Sequence, residues 1–293
     1  MDEATKGWMS GLLGVLIFSV TLPATRVAVM DFDPLFLTVA RASIAGLLAA
    51  GLLLLFGRTR PARGDLASLV VVALGVVVGF PLLTAIALTR SSSAHLIVFV
   101  GLLPLATAIF GVVRGGERPR PAFWAFSGLG AALVAGFAAS QGGSSSLEGD
   151  LLMIAAVVVC GLGYAEGATL SRRLGGWRVI CWALVVSLPV SLALTLATAP
   201  ASFAAVGAPA WAGLAYVSLF SMLIGFVFWY QGLALGGVAS VSQLQLLQPL
   251  FGLAVAAALL HESVSPAMLA VTGGVVVCVA GARRYAQPRS KPA

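Results

Sequence analysis

The chain has 293 residues, 60% of them hydrophobic and 9% charged, with a mean hydropathy of +1.04. A soluble domain carries roughly 25% charged residues, so a water-soluble fold of this length lacks the polar side chain to cover itself, and lipid is the solvent that fits. The net charge of +7 does not mark a nucleic-acid binder, because the basic residues stand in short clusters between apolar runs rather than on one face.

The start, MDEATKG, is acidic as well as basic, and the apolar stretch after it has no A-x-A-like stop. The first helix is therefore expected to be retained rather than cleaved. Crossing roughly 30 Å of hydrocarbon takes about 20 apolar residues. Such stretches are predicted at 8–30, 34–56, 66–89, 93–113, 121–140, 150–172, 177–198, 210–234, 238–260 and 266–285. Only Gly236 and Gly237 separate the eighth from the ninth. One kinked segment is the alternative there, although about 50 residues is twice what one crossing uses. Cys160, Cys181 and Cys278 stand singly in apolar runs, with no CxxC and no neighbouring His. They read as small core or lipid-facing residues, and neither a metal nor a cofactor is expected.

Cytoplasmic connections retain Lys and Arg. Lys6, Arg58, Arg60, Arg63, Arg114, Arg118, Arg120, Arg172, Arg173, Arg178, Arg283, Arg284, Arg289 and Lys291 all fall on one side of this topology. Arg26 and Arg90 fall on the other, and Arg41 lies within the second span. Both termini are expected in the cytoplasm, which requires an even number of spans.

The chain also repeats itself. LLPLATAIFGVVRGGERPRPAFWAFSGLGAALVAG (102–136) aligns with LQPLFGLAVAAALLHESVSPAMLAVTGGVVVCVAG (247–281) at an offset of 145. Pro104 then meets Pro249, Glu117 meets Glu262, Pro121 meets Pro266, Gly128 meets Gly273 and Gly136 meets Gly281. The expected halves are 1–140 and 150–293, joined by the Gly- and Ser-rich linker 141–149. Five spans per half is an odd number, so the second copy is expected to enter the membrane from the opposite side. Such inverted halves exchange conformations around a central site, which is the mechanics of alternating access.

The Pro, Glu, Pro and spaced Gly pattern, present twice, resembles the EamA domain of the drug/metabolite transporter superfamily, and the resemblance covers essentially the whole chain. Within it, the ten-span length, Arg41 and the aromatic-rich third and eighth spans look most like the YddG-type aromatic amino-acid exporters. The resemblance implies an all-α integral membrane fold of ten helices around a central cavity, in two inverted five-helix repeats. It places the fourth and ninth spans in the middle and the fifth and tenth at the periphery, in the cytoplasmic membrane of a bacterium.

Several residues are candidates for the site. The ninth span holds Ser240, Ser242, Gln243, Gln245 and Gln248 in an otherwise apolar helix, and such groups either bond neighbouring helices or line a cavity. His95, at the repeat position of Ser240, is either a structural group at a helix end or a substrate-binding or proton-carrying one. Glu166 is the one carboxylate well inside a span, a candidate for coupling unless a basic loop residue pairs with it. Arg41 is expected to snorkel outward past Asp31 or Asp33, the alternative being a substrate carboxylate. Glu117 and Glu262 are expected at the positive ends of the helices opened by Pro121 and Pro266.

Phe80, Phe99, Tyr164, Trp229 and Tyr230 are candidates to stack on a substrate side chain, with Thr84 among the binding residues. Trp8, Trp124, Trp177 and Trp211 suit an interfacial belt. GLGYAEG (161–167) has the wrong spacing for a dinucleotide loop and reads as a small-residue packing face. No HExxH, GxSxG or Walker loop is present, so an enzyme is not expected. The expected function is export of aromatic and other neutral amino acids. Export of drugs or other metabolites is the alternative, and a channel the reading from another class. The expected partners are the substrate and the lipid bilayer, with the chain a monomer or a weak homodimer.

Overall fold

The structure, a computed structural model, describes residues 3–56, 60–115, 120–140, 146–236 and 242–285. The expected break at Gly237 and most of the linker, 141–145, lie outside the described residues. Among those described there is no strand. Eight helices are long and apolar enough to cross a membrane. They are α1 (Thr5–Ala28), α2 (Pro34–Phe56), α3 (Asp65–Arg90), α4 (Ser93–Val113), α5 (Pro121–Ser140), α6 (Leu147–Ser171), α7 (Gly176–Thr198) and α8 (Ala208–Gly232). Two shorter apolar helices, α9 (Leu244–Leu260) and α10 (Pro266–Ala282), complete the described set.

The starts of these helices follow from local chemistry. Pro34, Pro121 and Pro266 are first residues, where the missing N–H costs nothing. The Asp33 carboxylate accepts the N–H groups of Leu35 and Phe36 at 2.8 and 3.1 Å, and the Ser92 and Ser146 hydroxyls accept those of His95 and Gly149, each at 3.3 Å. With Ser146 as its cap, α6 begins at Leu147, three residues ahead of the expected 150. Between α6 and α7 the chain turns at Gly175, whose φ of +84° suits glycine.

Bonds between distant loops define the two ends of the bundle. At one end the Asp31 carboxylate accepts the Gly207 N–H, the Ser91 hydroxyl accepts the Ser146 N–H, and Arg90 pairs with Glu148. At the other, Arg173 pairs with Asp65, and the Arg120 N–H bonds the Tyr285 carbonyl. Arg60, Arg63, Arg120, Arg173, Arg178 and Arg284 all belong to this second end, so described positive charge is concentrated there.

α1 packs along α8, α3 along α6, α2 along α7, α5 along α10, and α4 against α9. Replacing each helix by the one five places further on maps this set onto itself. The first residues of α4 are wholly buried, whereas α5 has its outer face open. The approach of α3 to α6 requires glycine, since a Cβ on Gly75 would stand 2.5 Å from the Val159 carbonyl and 3.1 Å from Gly163. The run 161–167 is thus a packing face: Gly161 lies against Ala106 of α4 and Gly167 against Tyr230 of α8. Leu54, Leu55, Val190, Leu196, Leu259 and Val277 are exposed on the outside, as lipid-facing side chains are. Trp8, Trp124 and Trp211 are exposed near helix ends, and the Arg178 guanidinium lies 5.0 Å over the ring of Trp177. The three cysteines are buried and free.

Four helices are irregular at matching places. α3 widens to a π-helix over Ala73–Gly79 and α8 over Tyr216–Ile224, and an offset of 145 superposes these stretches. α4 breaks at Gly101 and Leu102, and α9 opens as a 3₁₀-helix over Ser242–Leu247, again at equivalent positions. Pro104 and Pro249 account for the second pair, since a proline ring clashes with the carbonyl four residues back. Pro81 follows the irregular turn in α3 and Pro23 the interruption of α1 at Val20. The wide turn of α8 holds no proline, Pro209 standing in the first turn of that helix.

Candidate functional site

The irregular turns surround a central cavity. α1 contributes Phe18, Thr21 and Leu22; α3 contributes Val76, Phe80 and Pro81; α8 contributes Ser221, Met222 and Phe226. Arg41 of α2, Leu103 of α4, Cys160 and Tyr164 of α6 and Gln248 of α9 complete the lining. A π-helical turn frees backbone groups and turns side chains off the regular helical face, and such turns often mark functional sites. The cavity holds about 30 Å³, room for a water or two. A larger molecule enters only when the lining helices part.

One wall is aromatic. The Phe18 and Phe226 rings are 4.9 Å apart and Tyr164 meets Phe226 edge-on at 6.0 Å. Other lining residues are polar. Thr21 and Ser221 share a hydroxyl hydrogen bond of 2.9 Å, and Arg41 Nη2 donates to the Ser221 hydroxyl at 3.4 Å.

Arg41 does not snorkel. Its side chain is only 4% exposed and turns into the bundle, about 10 Å along α2 at 1.5 Å per residue. Both aspartates expected to draw it outward are engaged elsewhere, Asp33 capping α2 and Asp31 on the Gly207 N–H. Phe18, Thr21, Ser221 and Phe226 are cavity residues that the sequence reading left out, and Arg41 takes the inward position that was its alternative there. The signal available was the apolar surroundings of Arg41 on both sides along the chain.

Of the expected substrate-binding residues, Phe80 and Tyr164 line the cavity. Thr84 is buried one turn further along α3, its hydroxyl donating to the carbonyls of Phe80 and Pro81 at 2.8 and 3.0 Å. Trp229 and Tyr230 sit behind the aromatic wall, Trp229 against Phe18 at 6.4 Å and Tyr230 against Phe226 at 5.7 Å. Gln245 is buried in α9 away from the cavity, its Nε2 without a partner. Gln248 takes the cavity-lining place in that helix. Ser240 lies outside the described residues, and only the backbone of Gln243 is described. Glu166 is buried on α6 two residues past Tyr164.

His95 and Phe99 belong to a separate cluster. His95 Nε2 lies 2.7 Å from the buried carboxylate of Asp150, joining α4 to α6, and the imidazole stacks on Phe137 at 5.1 Å and tilts against Phe99 at 5.6 Å. Asp150 had no sequence signal, being one acidic residue in the first turn of α6. Glu262 also has an unexpected target. It reaches across to α4, where it accepts the N–H groups of Ser93 and Ala94 at 3.1 and 2.6 Å and the Ser93 hydroxyl at 2.8 Å. Ser265 is the residue that caps α10, accepting the Met268 N–H at 3.2 Å. Glu117 lies outside the described residues. No group of three or more metal-ligating side chains occurs among the described residues.

A multi-helix membrane bundle with a polar and aromatic cavity at its centre is the architecture of a transporter, and residues 5–138 and 147–283 each match the EamA-like transporter family. The chain belongs to that family. It is 66% identical over 287 residues to an uncharacterised transporter, YdeK, of Bacillus subtilis strain 168, a match covering 98% of this chain and all of that protein. It is also 27% identical over 283 residues to a probable terminal-alkyne amino-acid exporter of Streptantibioticus cattleyicolor, covering 94% of this chain and 91% of the relative. A solved crystal structure shares the fold, with a TM-score of 0.64 at 20% identity over 95% of both chains.

Proposed function

We propose that this transporter exports amino acids, aromatic and other neutral ones, across the cytoplasmic membrane by alternating access. The observation that carries the reading is the mixed lining of the cavity, which brings the aromatic rings of Phe18, Phe80, Tyr164 and Phe226 together with a guanidinium, hydroxyls and an amide. A zwitterion with an apolar side chain presents the matching pair of surfaces. The exporter name of the Streptantibioticus cattleyicolor relative supports the same class. The self-mapping helix pairs and matched irregular turns support two inverted halves that rock around the cavity. The arginine-rich end supports cytoplasmic termini.

The test is counterflow in liposomes holding the purified protein. Phenylalanine inside is expected to drive uptake of labelled phenylalanine well above empty vesicles, with competition by leucine and tryptophan. A drug or non-amino-acid metabolite that competes better than every amino acid would sink the substrate assignment. For coupling, Glu166 is the proposed carboxylate. A pH gradient is expected to stimulate transport in wild type and not in Glu166→Gln, and undiminished stimulation in the variant places coupling elsewhere.

A further inference from the structure

Arg41 is a buried cation with no counter-charge among the described residues. Among the described residues no carboxylate lies within ion-pair distance of it, its one hydrogen bond is the 3.4 Å contact with Ser221, and its Nε has no partner. A guanidinium in a dry interior is costly unless paired, and α2 places this one on the cavity wall. The same cavity contains a second unsatisfied group, the side-chain oxygen of Gln248. A guanidinium with an unmet donor and an amide oxygen with no partner belong to residues that line one cavity, the inverse of an α-amino acid, whose carboxylate accepts and whose ammonium donates.

The geometry points to Arg41 as the residue that binds the substrate carboxylate, assisted by the Thr21 and Ser221 hydroxyls, with Gln248 receiving the ammonium. The assignment rests on the amino-acid reading above and adds the feature of the substrate that is recognised. A planar guanidinium binds a carboxylate through two parallel hydrogen bonds, and it repels an amine that lacks one. Discrimination therefore acts on the carboxylate first and the side chain second. A decarboxylated substrate leaves the guanidinium buried and bare, and is refused.

Competition against phenylalanine counterflow tests this in wild type, with 3-phenylpropionate as the carboxylate without the amine and phenethylamine as the amine without the carboxylate. 3-Phenylpropionate is expected to compete and phenethylamine is not. Arg41→Met is expected to weaken phenylalanine by about ten- to a hundredfold, the range spanned by a hydrogen bond to a charged group, and to erase the preference for 3-phenylpropionate over phenethylamine. Its thermal midpoint without ligand is expected to equal or exceed that of wild type, and phenylalanine is expected to raise the midpoint of wild type only. Gln248→Leu is expected to weaken phenylalanine while leaving 3-phenylpropionate unchanged.

Phenethylamine competing as well as 3-phenylpropionate in wild type overturns the assignment without any variant. So does an Arg41→Met protein that keeps the preference, or one that loses stability while the preference survives. If instead wild type carries no amino acid yet is stabilised by 3-phenylpropionate and not by phenethylamine, the amino-acid reading fails and the carboxylate site stands. Amino-acid transport indifferent to Arg41 gives the reverse.

Discussion

At the residue scale, the cavity divides labour between charge and π-face. Tyr164 and Phe226 sit edge to face, and a substrate ring set against Tyr164 would add a contact of about 0.5–1.5 kcal/mol beyond area. Tyr164→Ala is therefore expected to lower apparent affinity for tryptophan and phenylalanine by roughly two- to tenfold while leaving alanine and serine near wild type. Competition curves for the four amino acids provide the check, and an equal loss for all four places Tyr164 in the scaffold instead. Trp229 and Tyr230 contact Phe18 and Phe226 rather than the cavity itself.

At the element scale, α4 is held by its neighbours as much as by its own sequence. Ser93–Val100 is buried on every side, so its first N–H groups have no water to bond. Glu262 supplies the acceptor. It reaches α4 because α9 ends on His261 in the left-handed region, φ 52°, with the Glu262 N–H bonded back to the Ala256 carbonyl at 3.3 Å. Glu262→Gln keeps the shape and removes the charge, and is expected to cost about 1 kcal/mol, read as a lower thermal midpoint in detergent. The His95–Asp150 pair ties the same end of α4 to α6. The wide turns of α3 and α8 pack chiefly against α6 and α2 respectively.

At the scale of the whole molecule, the ends of the bundle differ in charge, and the difference predicts orientation. The native cysteines are buried, so a single introduced cysteine is a clean reporter. In intact cells a membrane-impermeant thiol reagent is expected to label Ser202→Cys, on the loop between α7 and α8, and to spare Arg284→Cys until the membrane is opened. Labelling in the opposite order would invert the transporter and turn the proposed export into import. Mobility between halves is expected to involve the Arg173–Asp65 pair, which bridges α6 and α3 at the arginine-rich end.

The apolar helices, the duplication and the family could all be read along the chain, because each is a linear property. Hydropathy sums over about 20 neighbouring residues, and a repeat is an alignment of the chain with itself. The sequence also placed Phe80 and Tyr164 among the candidates, both of which line the cavity. Only the tertiary structure decided which face of each helix looks inward. A soluble helix declares its buried side through alternating polarity. In a bilayer, lipid and protein interior are both apolar, so α2 reads alike all round and nothing in its sequence tells whether Arg41 points out or in. The same holds for pairings over long separations, 55 residues from His95 to Asp150 and 169 from Ser93 to Glu262, which no local pattern encodes. The carbonyls left open by proline were foreseeable at Pro104 and Pro249; the wide turn of α8 holds no proline and packs chiefly against α2.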